Sequence, residues 1–138
     1  MYVLAWSLGL VMAALGLLHV AWAFGALKLN LAVIPERAGR PLFRPGRGAS
    51  LAVAALLLTA AALVMQQGGA LPALVPAPIA ALGSWTVAMT FVARAVGDFR
   101  YLGFFKRVRG TRFAVWDTRL FSPLCLALGA GTALLAAR

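Results

Sequence analysis

The sequence predicts an all-α integral membrane protein, an up-and-down bundle of four transmembrane helices. Three observations lead there. Four apolar runs are long enough, or nearly so, to cross a bilayer. Only 12% of the 138 residues are charged while 63% are hydrophobic, where soluble domains carry about 25% charged residues. The cations fall between apolar runs. That last point bears on the partner. A net charge of +10 would ordinarily suggest phosphate neutralisation on nucleic acid. Here the interleaving with membrane runs accounts for the charge, so nucleic acid is not an expected partner.

The spans are placed at about residues 2–27, 49–67, 74–98 and 117–137, forming one domain over 1–138. A span needs ~20 apolar residues, so the second and fourth borrow flanking residues, Gln66 and Gln67 in one case and Asp117 to Arg119 in the other. The first has no basic segment in front of it, which predicts a retained helix rather than a cleaved signal peptide. Ala5, Gly9, Ala13 and Gly16 recur every three or four residues and predict a close helix–helix contact. His19, the only histidine, and Trp22 follow on nearly the same face as Gly16. An ionisable residue inside a span is a functional candidate. The bland alternative is a neutral ring bonded to a neighbouring helix or a carbonyl.

The connection after the first span holds Lys28, Arg37, Arg40, Arg44 and Arg47. Its prolines argue against a long helix, and its apolar residues (Leu29, Leu31, Val33, Ile34, Leu42 and Phe43) predict a segment on the membrane surface or folded over the bundle mouth. Glu36 reads as a solvated salt-bridge partner. Prolines 72, 76 and 78 predict that the third helix becomes regular only after Ile79. That helix ends with Arg94 and Asp98, spaced i, i+4. Asp98 there faces an unfavourable helix dipole, and the pair reads either as a structural charge cluster or as a site. In the second reading Arg94 anchors an anion and Asp98 takes a proton beside His19. Asp117 and Thr118 can cap the fourth helix, with Pro123 in its first turns. Ala127, Gly129, Gly131 and Ala133 offer another close-packing face.

From Arg94 to Arg119, basic residues alternate with Phe99, Tyr101, Phe104, Phe105, Phe113 and Trp116. Both ends are tied to spans, so this reads as an interfacial aromatic belt with a polybasic patch toward anionic lipid. Lys106, Arg107, Arg109, Arg112 and Arg119 are the expected headgroup contacts. His19, Trp22, Arg94, Asp98 and Arg100 are the expected ligand-binding set. Both basic connections belong on the cytoplasmic side, which puts both termini outside. One cysteine, Cys125, excludes an internal disulfide. A lone His and a lone Cys cannot build a zinc site, and no phosphate loop is present. No metal and no cofactor are expected.

The run GDFRYLGFFKRVRGTRFAVWDTRLFSPLCLALG, with LLHVAWAFG in the first span, resembles a family of small bacterial four-span membrane proteins of unknown function. The resemblance covers nearly the whole chain. It implies the four-helix topology and brings no activity; a bacterial inner-membrane location is expected beside it. It draws attention to His19, Trp22, Arg94, Asp98, Arg100, Lys106, Asp117 and Arg119. Two functions are carried forward. The first is a binding protein for an anionic lipid or amphipathic small molecule at a polar, cytoplasm-facing pocket, with membrane lipids as partners and a homo-oligomer as a further assembly. The second is an intramembrane enzyme or proton-coupled carrier that uses His19 with Asp98. A carrier needs a continuous polar path, and the ionisable groups instead gather at one face.

Overall fold

A computed structural model describes residues 1–28 and 32–138. Its helices are α1 (Tyr2–Ala23), α2 (Arg47–Gln67), α3 (Ala77–Val96), α4 (Arg112–Trp116) and α5 (Ser122–Ala136). A π-turn, Asp117–Phe121, joins the last two into one helical span over Arg112–Ala136. Among the described residues, four helices are thus long and apolar enough to cross a membrane. The protein is an all-helical, multi-pass membrane protein. Side chains such as Leu17, Leu56, Leu82, Met89 and Leu126 are well exposed, as they are in a bundle solvated by lipid.

Local sequence explains the helix ends. Gly25, with φ 72°, stops α1 four residues before the expected boundary. The Gly25 amide donates to the Trp22 carbonyl and the Ala26 amide to that of Ala21, a glycine-terminated Schellman close. Gly69 closes α2 the same way, with Gly69 N donating to Gln66 O and Ala70 N to Met65 O. The third helix begins at Ala77, three residues before the regular start expected after Ile79, because Pro78 falls in its first turn, where no amide is needed. The fourth begins earlier still. Thr111, not Asp117 or Thr118, is the cap, its Oγ1 accepting from Ala114 N at 3.1 Å. Asp117 therefore lies inside the span.

The helices associate in two pairs, α1 with α2 and α3 with α5, joined along looser seams. Small residues set the pair distances. A Cβ on Gly16 would stand 3.3 Å from the Ala54 carbonyl, and one on Gly129 3.0 Å from that of Ala88. This is the close approach expected of the small-residue stripes. The core joining the pairs includes Ala5, Leu8 and Met12 of α1, Ala60, Ala61 and Val64 of α2, and Leu128 and Leu135 of α5. All lie toward the end of the bundle that carries the short Gly68–Pro76 connection. At the opposite, basic end the pairs are held by loops instead.

Two strands, β1 (Glu36–Arg37) and β2 (Arg40–Pro41), pair antiparallel in the first connection. Ala38 and Gly39 between them both have positive φ, 51° and 75°, as a two-residue type I′ turn requires. Ile34, Pro35 and Glu36 are buried, so this connection folds onto the bundle mouth. Leu29 and Leu31 lie outside the described residues.

Candidate functional site

The chain has three acidic side chains, and the structure gives each a separate task at the basic end. Asp117 is fully buried. Its Oδ1 accepts from Arg94 Nη2 at 2.7 Å, and its Oδ2 accepts from Lys106 Nζ at 2.9 Å and the Gly103 amide at 2.8 Å. The Ser122 hydroxyl reaches Oδ2 at 3.2 Å. Lys106 Nζ is completed by the Gly103 carbonyl at 2.8 Å and Thr118 Oγ1 at 2.7 Å. One carboxylate thus ties α3, the following loop and the fourth span together through four donated hydrogen bonds, two of them from cations.

The π-turn makes this possible. Pro123 has no amide and its ring crowds the carbonyl four residues back. The helix widens by one residue ahead of it, and the Ser122 amide donates five residues back to Asp117 O. Such turns recur at functional positions. Here Asp117, the first residue of the turn, has its carboxylate on Arg94 and Lys106.

Arg94 therefore pairs with Asp117, and the expected Arg94–Asp98 pair is corrected. Asp98 lies beyond the end of α3, in a bend where its Oδ1 accepts from the amides of Arg100, Tyr101 and Leu102 at 2.7–2.9 Å. Desolvation by burial works against its charge, but the Leu102, Arg100 and Tyr101 amides outweigh it and hold the carboxyl below the ordinary range. Backbone hydrogen bonding has taken the role assigned to Arg94. The bend is tight enough that a Cβ on Gly103, φ 83°, would overlap the Val96 carbonyl.

Glu36 is buried rather than solvated. Its Oε1 accepts from the Arg112 amide at 2.8 Å, one of the free donors at a helix start. The first connection is thereby fastened to the fourth span. Lys106, expected at the headgroups, is 2% exposed; its ammonium belongs to Asp117. Arg107, Arg109, Arg112 and Arg119 are exposed. Arg100 is exposed too, its guanidinium 5.2 Å from the Tyr101 ring.

Two cavities adjoin this framework. The first, about 270 Å³, is lined by His19, Trp22, Val33, Ile34, Phe43, Pro45, Ala49, Ser50 and Val53. His19 Nδ1 lies 2.8 Å from the Leu15 carbonyl, and its ring meets Trp22 edge-on at 4.9 Å. Neither Arg94 nor Asp98 lines this cavity, so the expected pocket shared by His19 and Asp98 is not formed. The second, about 380 Å³, runs along the α2–α3 seam, where the pairs part. It is lined by Val53, Leu56, Leu57, Ala60, Thr86, Val87, Thr90, Phe91 and Arg94. Arg94 Nη1 is buried without a hydrogen-bond partner among the described residues. Thr86 and Thr90 hydroxyls donate to carbonyls of their own helix.

Among the described residues no group of three or more His, Cys, Asp or Glu could hold a metal ion. The sequence reading missed Asp117 as the hub and Glu36 as a clasp. The available signal was scarcity: with three acids against thirteen Lys and Arg, an acid inside an apolar run needs buried cationic partners.

No curated protein and no solved structure matches the chain. A family model of a protein of unknown function (DUF3995) matches residues 12–132. That stretch runs from α1 through Arg94, Asp98, Lys106 and Asp117 to α5, so it takes in both cavities and the hub; the chain belongs to the DUF3995 family.

Proposed function

We propose that this protein binds an anionic amphiphile in the bacterial inner membrane, with the acidic head on Arg94 and the apolar chain in the α2–α3 groove. The observation that carries the reading is Arg94 itself. One of its terminal nitrogens is spent on Asp117, the other is buried with no hydrogen-bond partner among the described residues, and the same side chain lines an apolar groove. The surrounding charge agrees: Arg94 and Lys106 share a single carboxylate, which leaves the cluster one positive charge in excess. Arg107, Arg109, Arg112 and Arg119 of the same basic stretch are exposed and, in this reading, stand at headgroup level with both termini on the outer side of the membrane. Asp98, held by three amides, has no proton-relay geometry with His19, so the carrier or enzyme reading lacks a supporting contact.

The test compares dodecyl phosphate, dodecanoate and dodecanol binding to the protein in nanodiscs. A hydrogen bond to a charged group is worth ~1.5–3 kcal/mol, so both anions should bind roughly 10- to 100-fold more tightly than dodecanol. Thr90→Phe, which narrows the groove at an exposed position, should weaken all three. Equal affinity for dodecanol and the anions would refute the reading.

A further inference from the structure

The His19 cavity shares Val53 with the Arg94 groove as a common wall but differs from it chemically. We propose that it is a second binding site, for a neutral phenolic ring held by a hydrogen bond to His19 Nε2. A carbonyl oxygen can only accept, so the Nδ1 contact to Leu15 O places the proton on Nδ1. In the neutral ring Nε2 is then an acceptor with a fixed direction. The ring borders an otherwise largely apolar cavity, where a hydroxyl donor is the ligand group that complements it. No Lys or Arg lines this cavity, and an anion there would be desolvated without a counter-charge.

Size and shape narrow the ligand. A dry cavity of ~150 Å³ accepts benzene, so about 270 Å³ suits one ring or two fused rings. Trp22 and Phe43 supply aromatic surfaces for offset or edge contacts. Val33, Ile34, Phe43 and Pro45 roof the cavity from the first connection. That roof is pinned by Leu42 N to Pro35 O at 2.9 Å and by Glu36 to the Arg112 amide. The lower wall, Ala49 and Ser50 of α2, stands near the basic end, so a membrane-dissolved phenol reaches it from the interface.

The probes are 1-naphthol, 1-methoxynaphthalene and naphthalene, with the wild-type protein in nanodiscs and empty nanodiscs as the partitioning control. Binding of 1-naphthol should be roughly fivefold to tenfold tighter than that of the other two, the worth of one neutral hydrogen bond. His19 is the only histidine, so ¹⁵N-histidine labelling gives a single ring to watch. Its Nε2 resonance should shift with 1-naphthol and stay in place with naphthalene. Ala49→Phe, which fills the cavity, should abolish binding of both, whereas Thr90→Phe in the other groove should leave 1-naphthol binding unchanged. Equal affinity for the three probes, an unmoved Nε2 signal, or 1-naphthol binding that survives Ala49→Phe would overturn the proposal. Loss of 1-naphthol binding on Thr90→Phe would place the ring in the Arg94 groove and overturn it as well, without bearing on amphiphile binding there.

Discussion

Replacing Asp117 with Asn keeps the side-chain shape and removes the charge between Arg94 and Lys106. The two cations are not equally exposed to the change. Arg94 is 29% exposed at its side chain and can turn toward water, whereas Lys106 is 1% exposed and must stay charged inside the protein or lose its proton. Breaking a buried pair by removing one partner costs about 3–5 kcal/mol. Lys106 keeps the Gly103 carbonyl and Thr118 Oγ1, so the expected loss lies at the lower end, about 3 kcal/mol. Lys106→Met should be milder, about 1–3 kcal/mol, because Asp117 retains Arg94, the Gly103 amide and Ser122. The double variant Asp117→Asn/Lys106→Met leaves no stranded charge and should recover about 2 kcal/mol of the summed losses, within the range of coupled contacts. Reversible unfolding in mixed micelles, followed for the four proteins of the cycle, measures this. Losses that add to within ~0.3 kcal/mol would mean that the buried pair is not what joins the fourth span to the loop.

Glu36→Ala strips the Arg112 amide of its acceptor and should speed proteolysis of the 33–44 segment and amide exchange at Arg112, while Glu36→Gln, which keeps an acceptor, should change both much less; equal effects would show the clasp is not a hydrogen bond. Asp98 has a lowered folded-state pKa, so its contribution is present above the unfolded value of ~3.9 and is lost as pH falls through the lower folded value; Asp98→Asn should flatten the stability profile in that acid window, and an unchanged profile would remove Asp98 from the account. In a Cys125→Ala background, Tyr2→Cys and Arg138→Cys should both be labelled by an impermeant thiol reagent from outside the inner membrane, and protection at either site would reverse the proposed orientation.

The four-helix architecture was legible because lipid demands long apolar runs, and these are visible without knowing any contact. Gly9 and Gly16 were equally legible, since a missing side chain on a helix face has one plain use in lipid. The charge network was not. Arg94 and Asp98 stand four apart and invite pairing by helical spacing, but Gly97, φ 92°, ends the helix between them and sends Asp98 into a bend. Asp117 was read as a cap because a helix start offers free amides to an acid; Thr111 took that role six residues sooner. Glu36 meets a residue 76 positions away, a contact that no local pattern encodes. His19 and Trp22 were correctly placed beside each other, one helical turn apart, whereas their roof depends on how a proline-rich connection folds back.

The π-turn at Asp117–Phe121 makes the fourth span, in effect, two helices with different loyalties that share one axis. An α-helix advances about 100° per residue, so one additional residue rotates everything after it by that amount relative to everything before. Upstream, the span answers to the loops: the Thr111 cap and the amide held by Glu36. Downstream, it answers to the lipid-embedded core through Leu128 and Leu135. Deleting one residue from the turn would restore a regular helix and force the two halves into one register, so the span could satisfy the loops or the core but not both. The extra residue is thus what lets a single helix be read from two sides, and Asp117 stands where the two readings meet.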